Sequence, residues 1–261
     1  MTNLKGKTAL VTGSTGGIGE AFARAFAEAG CNVVINGFGE AQAIEKLRVS
    51  LERNGGKAIH DPADIGKADQ VAAMIRDAQT RFGGIDILVN NAVTRHYAPI
   101  EEFPVDKWEL ALAVNLSAAF HTIRLALPYM KQRGWGRIIN MASIHATSVV
   151  RDRVDYVTTK HAIVGITRAV ALETAQTGVT CNAISPGWVL TPHAERQIAR
   201  KMEDKDCSRE EAIRELLEVR QPSRRPVLPS DVAALGIFLC SDAAANITGA
   251  SLPIDGAWAI S

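Results

Sequence analysis

Thr8-Ala9-Leu10-Val11-Thr12-Gly13-Ser14-Thr15-Gly16-Gly17-Ile18-Gly19 opens on a short apolar, β-branched run and breaks into a cluster of glycines, after which Phe22, Phe26 and Ala29 recur at helical spacing. The stretch reads as strand, glycine turn, helix. Gly30 ends the helix, and Cys31 to Asn36 supplies a second apolar strand. A strand–helix–strand unit is thereby closed within about thirty residues, the length such a unit needs.

The same alternation continues outward. Gln42 to Arg53 reads as helix, Lys57 to His60 as strand, Lys67 to Phe82 as helix, and Ile85 to Asn90 as a continuous apolar strand of the kind covered on both faces. Asp106 to Met130 reads as one long helix, Gly136 to Met141 as strand, Arg153 to Thr174 as helix and Val179 to Ile184 as strand. A last helix is expected near Asp231 to Cys240 and a short strand at Ser251 to Ile254. Strands alternating with helices imply an α/β protein with a Rossmann-type, doubly wound parallel sheet. No linker rich in Pro, Gly or Ser divides the chain, so a single domain, 1–261, is expected. Between Pro186 and the last helix lies a charged stretch, Ala194 to Arg225, in which Ile198, Met202, Ile213, Leu216, Leu217 and Val219 mark amphipathic helices. It is either a solvated insertion or a helical substrate lid over about residues 191–226. Its position beyond the carboxyl end of a strand favours the lid, because open α/β sheets bind ligands there.

Composition narrows the partners. With 47% hydrophobic and 22% charged residues the chain is globular, neither disordered nor fibrous. Twenty-nine basic against 28 acidic residues give a net charge of +1, so no long-range field draws in nucleic acid or an acidic membrane, and a small molecule is the expected partner. The four cysteines, Cys31, Cys181, Cys207 and Cys240, are too far apart for a metal site or a disulfide framework and suit packed thiols in a reducing cytoplasm. Met1 to Lys7 has no apolar signal core, and every apolar run is too short for a bilayer, so neither secretion nor membrane insertion is expected.

The chemistry-bearing residues form an ordered set. The glycine turn lets the backbone approach a pyrophosphate at a helix N-terminus. Asn90-Asn91-Ala92 follows the fourth strand, Asn115 lies in the long helix, Ser143 follows Ile138-Ile139-Asn140-Met141, and Tyr156 and Lys160 stand four apart on one helix face. A secondary alcohol must lose its hydroxyl proton as its carbon gives up a hydride. A free tyrosine, with a pKa of about 10, is a poor base near neutrality, and a nearby lysine cation favours the phenolate. A Tyr and Lys at that spacing are by themselves a common surface pair; taken with the resemblance of the whole ordered set to a known family, Tyr156 is the candidate general acid/base, Lys160 its electrostatic tuner and Ser143 a hydrogen-bond donor to the developing alkoxide.

Taken in order, these motifs resemble the short-chain dehydrogenase/reductase family over most of the chain. The resemblance implies a dinucleotide held by Gly13, Thr15, Gly17, Ile18 and Gly19, with Asp64 and Ile65 at the adenine, Asn91 in the adjoining backbone element, and Phe38 beside the cofactor. Lys160 would also bind its ribose, Pro186 and Gly187 would line the nicotinamide with Val189, Thr191 would contact the carboxamide, and Asn115 would hold a water linking Lys160 to solvent. Neither the glycine turn nor Asn36-Gly37-Phe38-Gly39-Glu40 contains an arginine or lysine, so a 2′-phosphate would lack a cation and NAD is expected over NADP. Glu40 is either a ribose ligand or an exposed acid. Val93 departs from the family's glycine after Asn-Asn-Ala, for which weaker NAD binding or a slightly moved strand end is expected.

Within the family, Glu101-Glu102-Phe103-Pro104, Asn115-Leu116-Ser117-Ala118, Thr159-Lys160-His161, Gln221-Pro222-Ser223 and Asp255-Gly256-Ala257-Trp258 resemble bacterial dehydrogenases of short D-3-hydroxy acids. That closer resemblance implies interconversion of 3-hydroxybutyrate and acetoacetate, with His145 and Gln197 at the substrate carboxylate. Arg153 stands where those enzymes have a lysine and Arg95 where they have a glutamine. Arginine pairs with carboxylates bidentately, so Arg153 is competent although its fork places the charge differently. Two cations imply tighter anion binding or a larger or dicarboxylic acid; alternatively, Arg95 faces solvent. Trp188 faces substrate or fills the core, and His145 binds substrate or makes a local hydrogen bond at a helix start. Arg224 and Arg225 belong to a lid hinge or a subunit contact. Oxidation of another secondary alcohol is the second enzymatic reading; a catalytically silent binding protein is disfavoured because Asn115, Ser143, Tyr156 and Lys160 are all present. A homotetramer, paired through the helices that begin near Asp106 and Arg153, follows from the resemblance, and no metal is expected.

Overall fold

The computed structural model describes residues 4–261; of the N-terminal stretch read for a signal core, residues 1–3 lie outside them. Seven strands, β1 (Thr8–Val11), β2 (Asn32–Asn36), β3 (Ala58–Asp61), β4 (Ile87–Asn90), β5 (Gly136–Met141), β6 (Val179–Pro186) and β7 (Ser251–Ile254), form one sheet in the order β3-β2-β1-β4-β5-β6-β7. All pairings are parallel. Period-two alternation explains why both faces are apolar. Ala9 and Val11 point into a core with Phe22 and Phe26, while Leu10 points into a second core with Met74 and Ile75.

Helices α1 (Gly17–Glu28), α2 (Ala41–Leu51) and α9 (Pro229–Leu239) supply the first core, and α3 (Ala68–Phe82), α5 (Ala118–Arg133) and α6 (Val154–Thr174) the second. After β3 the chain returns to the far side of β1, so Val11 pairs with both Ile35 and Val89. The switch point between β1 and β4 opens a crevice at the carboxyl ends of the strands, where ligands of such sheets bind.

Three expectations are corrected. The helix read as unbroken from Asp106 to Met130 is α4 (Val105–Leu112), a π-turn at Ala113–Ser117, and then α5. The extra residue in that turn leaves the apolar pattern readable as one helix, which hides it from periodicity. The statement that every apolar run is too short for a bilayer also fails, since Val105–Arg133 is long and apolar enough by length and composition, with a mean hydropathy of 1.5 in its best window. That window averages over scattered charges, whereas the sequence reading counted unbroken apolar residues; in the fold Ala118, Ile123, Ala126 and Met130 of α5 are buried in the second core. Third, Asp64 lies three residues beyond the end of β3, in the loop leading to α3, and not at the strand end.

The charged stretch forms α7 (Pro192–Lys205) and α8 (Arg209–Glu218). Thr191 caps α7, and Ser208 and Glu211 form a reciprocal capping box on α8. The pair has its own small core, in which Ala194, Ile198, Ala212 and Leu217 pack around Trp188. Both ends of the segment are joined at its base, where Leu190 N donates to Val227 O and Val227 N donates to Trp188 O.

Candidate active site

The loops after β1 and β4 are stitched together before any ligand is considered. Asn91 Nδ2 donates to Thr12 O (2.9 Å) and Gly13 O (3.0 Å), and Thr12 Oγ1 accepts from Asn91 N and Ala92 N. The approach is so close that a Cβ on Gly13 (φ +63°) would lie 2.7 Å from Ala92 Cα, and one on Gly19 would lie 2.2 Å from Gly13 O. Only glycine fits these positions. At Gly16, the N-cap of α1, no side chain satisfies the first helical amides, so they face the crevice as a group of donors suited to an anion. Gly17 and Ile18 begin that turn, and Thr15 Oγ1 donates to Phe38 O (2.8 Å).

Beyond β2, Phe38 is 69% exposed. Glu40 is an exposed acid whose carboxylate caps α2 by accepting from Gln42 N and Ala43 N. Asp64 Oδ1 accepts from Gly66 N, and Ile65 beside it is buried. Ile65 packs in the second core and lines a small cavity that also borders Asn115 and Lys160, whereas Phe38 and Asp64 lie apart from the catalytic cavity.

That cavity, of about 300 Å³, brings together Ser143, Tyr156 and Lys160 with Ile18, Asn91 and Val93. Pro186, Gly187, Val189 and Thr191, from the end of β6, line its opposite side. Ser143 begins a 3-10 turn and its hydroxyl accepts from His145 N (3.2 Å). Tyr156 and Lys160, one turn apart on α6, are both buried, and Lys160 Nζ donates to Met141 O and lies 5.5 Å from the Tyr156 ring centroid. Burial works to raise the Tyr156 pKa, but the Lys160 and Arg95 charges, with hydrogen bonds from Ser143 and Arg95, outweigh it and bring the phenol down to about 8. Burial and the charges of Arg95 and Arg153 lower Lys160, against the pull of Tyr156.

Asn115 sits in the π-turn, where its Oδ1 accepts from Thr94 N (2.8 Å) and its Nδ2 donates to Thr94 O (3.0 Å). The clamp pins the segment that carries Val93 and Arg95 to the helix. A second cavity of about 10 Å³, the size of one water, lies between Asn115 and Lys160, where the resemblance implied a water.

Of the substrate candidates, Arg153, Arg95 and His145 converge on the Tyr156 ring, and Trp188 and Gln197 line the same cavity. Arg153 Cζ lies 4.3 Å and Arg95 Cζ 5.3 Å from its centroid, although Arg95 is also exposed, so both readings of that residue hold in part. Arg153 Nε and Nη2 are buried and have no hydrogen-bond partner among the described residues. His145 combines its two readings, bonding Ser148 Oγ through Nδ1 (3.2 Å) while lining the cavity; burial, then Arg153 and Arg220, lower it to about 4, which keeps it neutral at physiological pH. Trp188 is both a core residue and a cavity wall, with Nε1 donating to Gln197 Oε1 (2.9 Å) and its backbone N donating to the buried Gln221 Oε1 (2.9 Å). Gln197, expected to meet a carboxylate, has its oxygen committed to Trp188 and its nitrogen 3.3 Å from His193 Nε2. Sequence reasoning missed Tyr97, Arg151, His193 and Arg220 as cavity residues. None has a local motif; only the packing of α8 against Trp188 carries Arg220 inward.

A glycine cradle at the switch point of a parallel sheet, next to a buried phenol drawn toward its charged form by a lysine, defines a dinucleotide-dependent oxidoreductase. A family model described as Enoyl-(Acyl carrier protein) reductase matches residues 13–258. Over 255 residues the chain is 50% identical to D-beta-hydroxybutyrate dehydrogenase of Cupriavidus necator, covering 98% of each. It is 46% identical to the enzyme of the same name from Rhizobium meliloti, over 97% of this chain and 98% of that one. The crystal structure of L-sorbose reductase from Gluconobacter frateurii, complexed with NADPH and L-sorbose, superposes with a TM-score of 0.94 at 30% identity, covering 100% of this chain and 99% of that one. The protein belongs to the short-chain dehydrogenase/reductase family, whose dehydrogenases use a nicotinamide cofactor.

Proposed function

We propose that the protein is an NAD-dependent dehydrogenase of a short 3-hydroxy acid, interconverting D-3-hydroxybutyrate and acetoacetate. The observation that carries the acidic substrate is Arg153, which lines the cavity beside Tyr156 and whose Nε and Nη2 are buried without a hydrogen-bond partner among the described residues. An unpaired buried donor is costly, and a carboxylate accepting from it removes that cost. The names of the two bacterial relatives support the same substrate.

The residues present fit a dinucleotide: the uncapped amides at Gly17, Ile18 and Gly19 suit its pyrophosphate, and a Cβ at Gly13 or Gly19 would fill the cradle with chain atoms. Thr15, Phe38, Asp64, Ile65 and Asn91 would hold the adenine half, and Pro186, Gly187, Val189 and Thr191 the nicotinamide half. The bound cofactor would supply the hydride acceptor or donor. NAD is the form proposed, because neither the glycine turn nor Asn36 to Glu40 supplies a cation for a 2′-phosphate.

In oxidation the Tyr156 phenolate takes the substrate hydroxyl proton, and Ser143 donates to the same oxygen as its charge develops. Lys160 holds the phenolate and would bind the ribose. A water in the small cavity beside Asn115 would carry the proton onward from Lys160. Arg153, Arg95, His145, Gln197 and Trp188 form the carboxylate end of the site. Helices α7 and α8, within residues 191–226, act as the lid. Subunits pair into a homotetramer through α4–α5 and α6, where Leu110, Phe120 and Leu172 are exposed, and the enzyme works in the cytoplasm.

The test is a panel of hydroxy acids and neutral secondary alcohols with NAD and NADP, followed by reduced-cofactor absorbance. D-3-Hydroxybutyrate should be oxidised with NAD at least tenfold more efficiently than with NADP. Turnover confined to neutral alcohols would refute the carboxylate site.

A further inference from the structure

The substrate end of the cavity holds more positive charge than one carboxylate balances. Arg95, Arg151, Arg153 and Arg220 line it together with Lys160, and no aspartate or glutamate does. None of the four arginines forms an ion pair among the described residues, although twelve such pairs occur elsewhere in the molecule. Asp152, between Arg151 and Arg153 in sequence, is exposed and forms no ion pair with either among the described residues, and Asp155, two residues beyond Arg153, has its oxygens accepting from Tyr156 N (2.6 Å) and His96 N (3.1 Å). Tyr156 is the one group in the site that carries negative charge in turnover, and Lys160 already answers it.

Arg151 is exposed and screened by water, and Arg95, also exposed, is engaged with the Tyr156 phenol. Arg153 and Arg220 are not exposed: both are half-buried, both reach the cavity from different elements, and His145, which burial and these two charges hold neutral, stands near both. Arg153 stacks on Tyr97 at 4.5 Å and keeps two buried N–H groups unpartnered. Arg220 is held in place by its own turn. Its backbone N donates to Leu217 O, its Nη1 donates to Leu216 O (3.3 Å), and the adjoining Gln221 is buried and bonded to Trp188 N and Arg225 O. A bidentate carboxylate satisfies one guanidinium fork. A monoacid on Arg153 therefore leaves Arg220 as a half-buried cation without a counter-charge, a costly arrangement. The oxidised nicotinamide would add a further positive charge to the same cavity.

We propose that the preferred substrate is a 3-hydroxy dicarboxylic acid, one carboxylate held by Arg153 and the second by Arg220. The proposal rests on the 3-hydroxy-acid reading above and extends it. The reaction is unchanged: the alcohol carbon gives its hydride to the bound nicotinamide, the hydroxyl proton goes to Tyr156, and a 3-keto diacid results. Arg220 thereby sets specificity from the α7–α8 segment.

Three probes separate the possibilities: 3-hydroxyglutarate, its monomethyl ester, which keeps the size and loses one charge, and 3-hydroxybutyrate. With the intact enzyme and NAD, kcat/KM for the diacid should exceed that for the ester and for 3-hydroxybutyrate at least tenfold. In Arg220→Gln the ratio of diacid to ester should fall at least tenfold, a comparison made within one protein and so insensitive to partial misfolding. An ester equal to or better than the diacid, or a ratio unmoved by Arg220→Gln, would overturn the dicarboxylate proposal while turnover of 3-hydroxybutyrate leaves the underlying reading intact. No reduced cofactor from any of the three would overturn both.

Discussion

Tyr156 should titrate as a phenol well below the ordinary range, and Lys160 should be the main reason. Its environment brings it from 10 to about 8, burial being overcome by the charges of Lys160 and Arg95 and by hydrogen bonds from Ser143 and Arg95. A shift of that size corresponds to roughly 3 kcal/mol in favour of the phenolate. At pH 8 about half the molecules would carry the base form, against about one in a hundred for an unperturbed phenol. Oxidation needs the deprotonated form, so its kcat/KM should rise as pH increases through about 8 and level off above; reduction needs the protonated form and should fall over the same range. In Lys160→Met the burial contribution is opposed by Arg95 and Ser143 alone, the midpoint moves upward, and oxidation at pH 8 should drop about 50-fold or more, recovering in part at higher pH. The direct assay is the ultraviolet absorbance of phenolate during a pH titration. The chain has three tyrosines, Tyr97, Tyr129 and Tyr156, so Tyr156→Phe assigns the transition. A transition near pH 8 that survives in Tyr156→Phe, or a midpoint that Lys160→Met leaves in place, would refute this account of the site.

Two further outcomes test the scaffold. Gly19→Ala would set a methyl 2.2 Å from Gly13 O, so it should abolish NADH binding measured by fluorescence while circular dichroism shows a folded chain; wild-type affinity would contradict the close-packed cradle. Gln221→Ala strips the buried Trp188 N and Arg225 O of their partner, which should cost about 1–3 kcal/mol and lower Tm by several degrees, and a thermal melt identical to wild type would show that the clamp contributes nothing.

Much of the fold can be read locally. The runs at Gly136–Met141 and Ser251–Ile254 are strands with the expected bounds, because their residues and breakers announce them within a few positions. The helix ends are less legible: Arg153 is the N-cap of α6 and not its first residue, which frees its side chain to turn into the cavity. The π-turn at Ala113–Ser117 is invisible in the pattern, since the apolar spacing continues through it. Its consequence, Asn115 clasping the backbone of Thr94, joins residues 21 positions apart. Gln197 was legible as a cavity residue, but not its commitment to Trp188 and His193, which depends on how α7 docks.

What the sequence determined by itself is whatever rests on short-range rules: the alternation of strand and helix, the glycines required by backbone approach, and the ordered residues Asn115, Ser143, Tyr156 and Lys160. The near-zero net charge was equally plain, yet it says nothing about where the charges go. The resemblance already put Arg95 and Arg153 at the substrate; only tertiary structure adds Arg151 and Arg220 to the same cavity, which no aspartate or glutamate lines. Arg220 enters it because Leu217 and Trp188 bury together at the base of α8, a contact between residues far apart in the chain. Packing of that kind depends on which apolar faces meet across the whole molecule, and no local pattern encodes it.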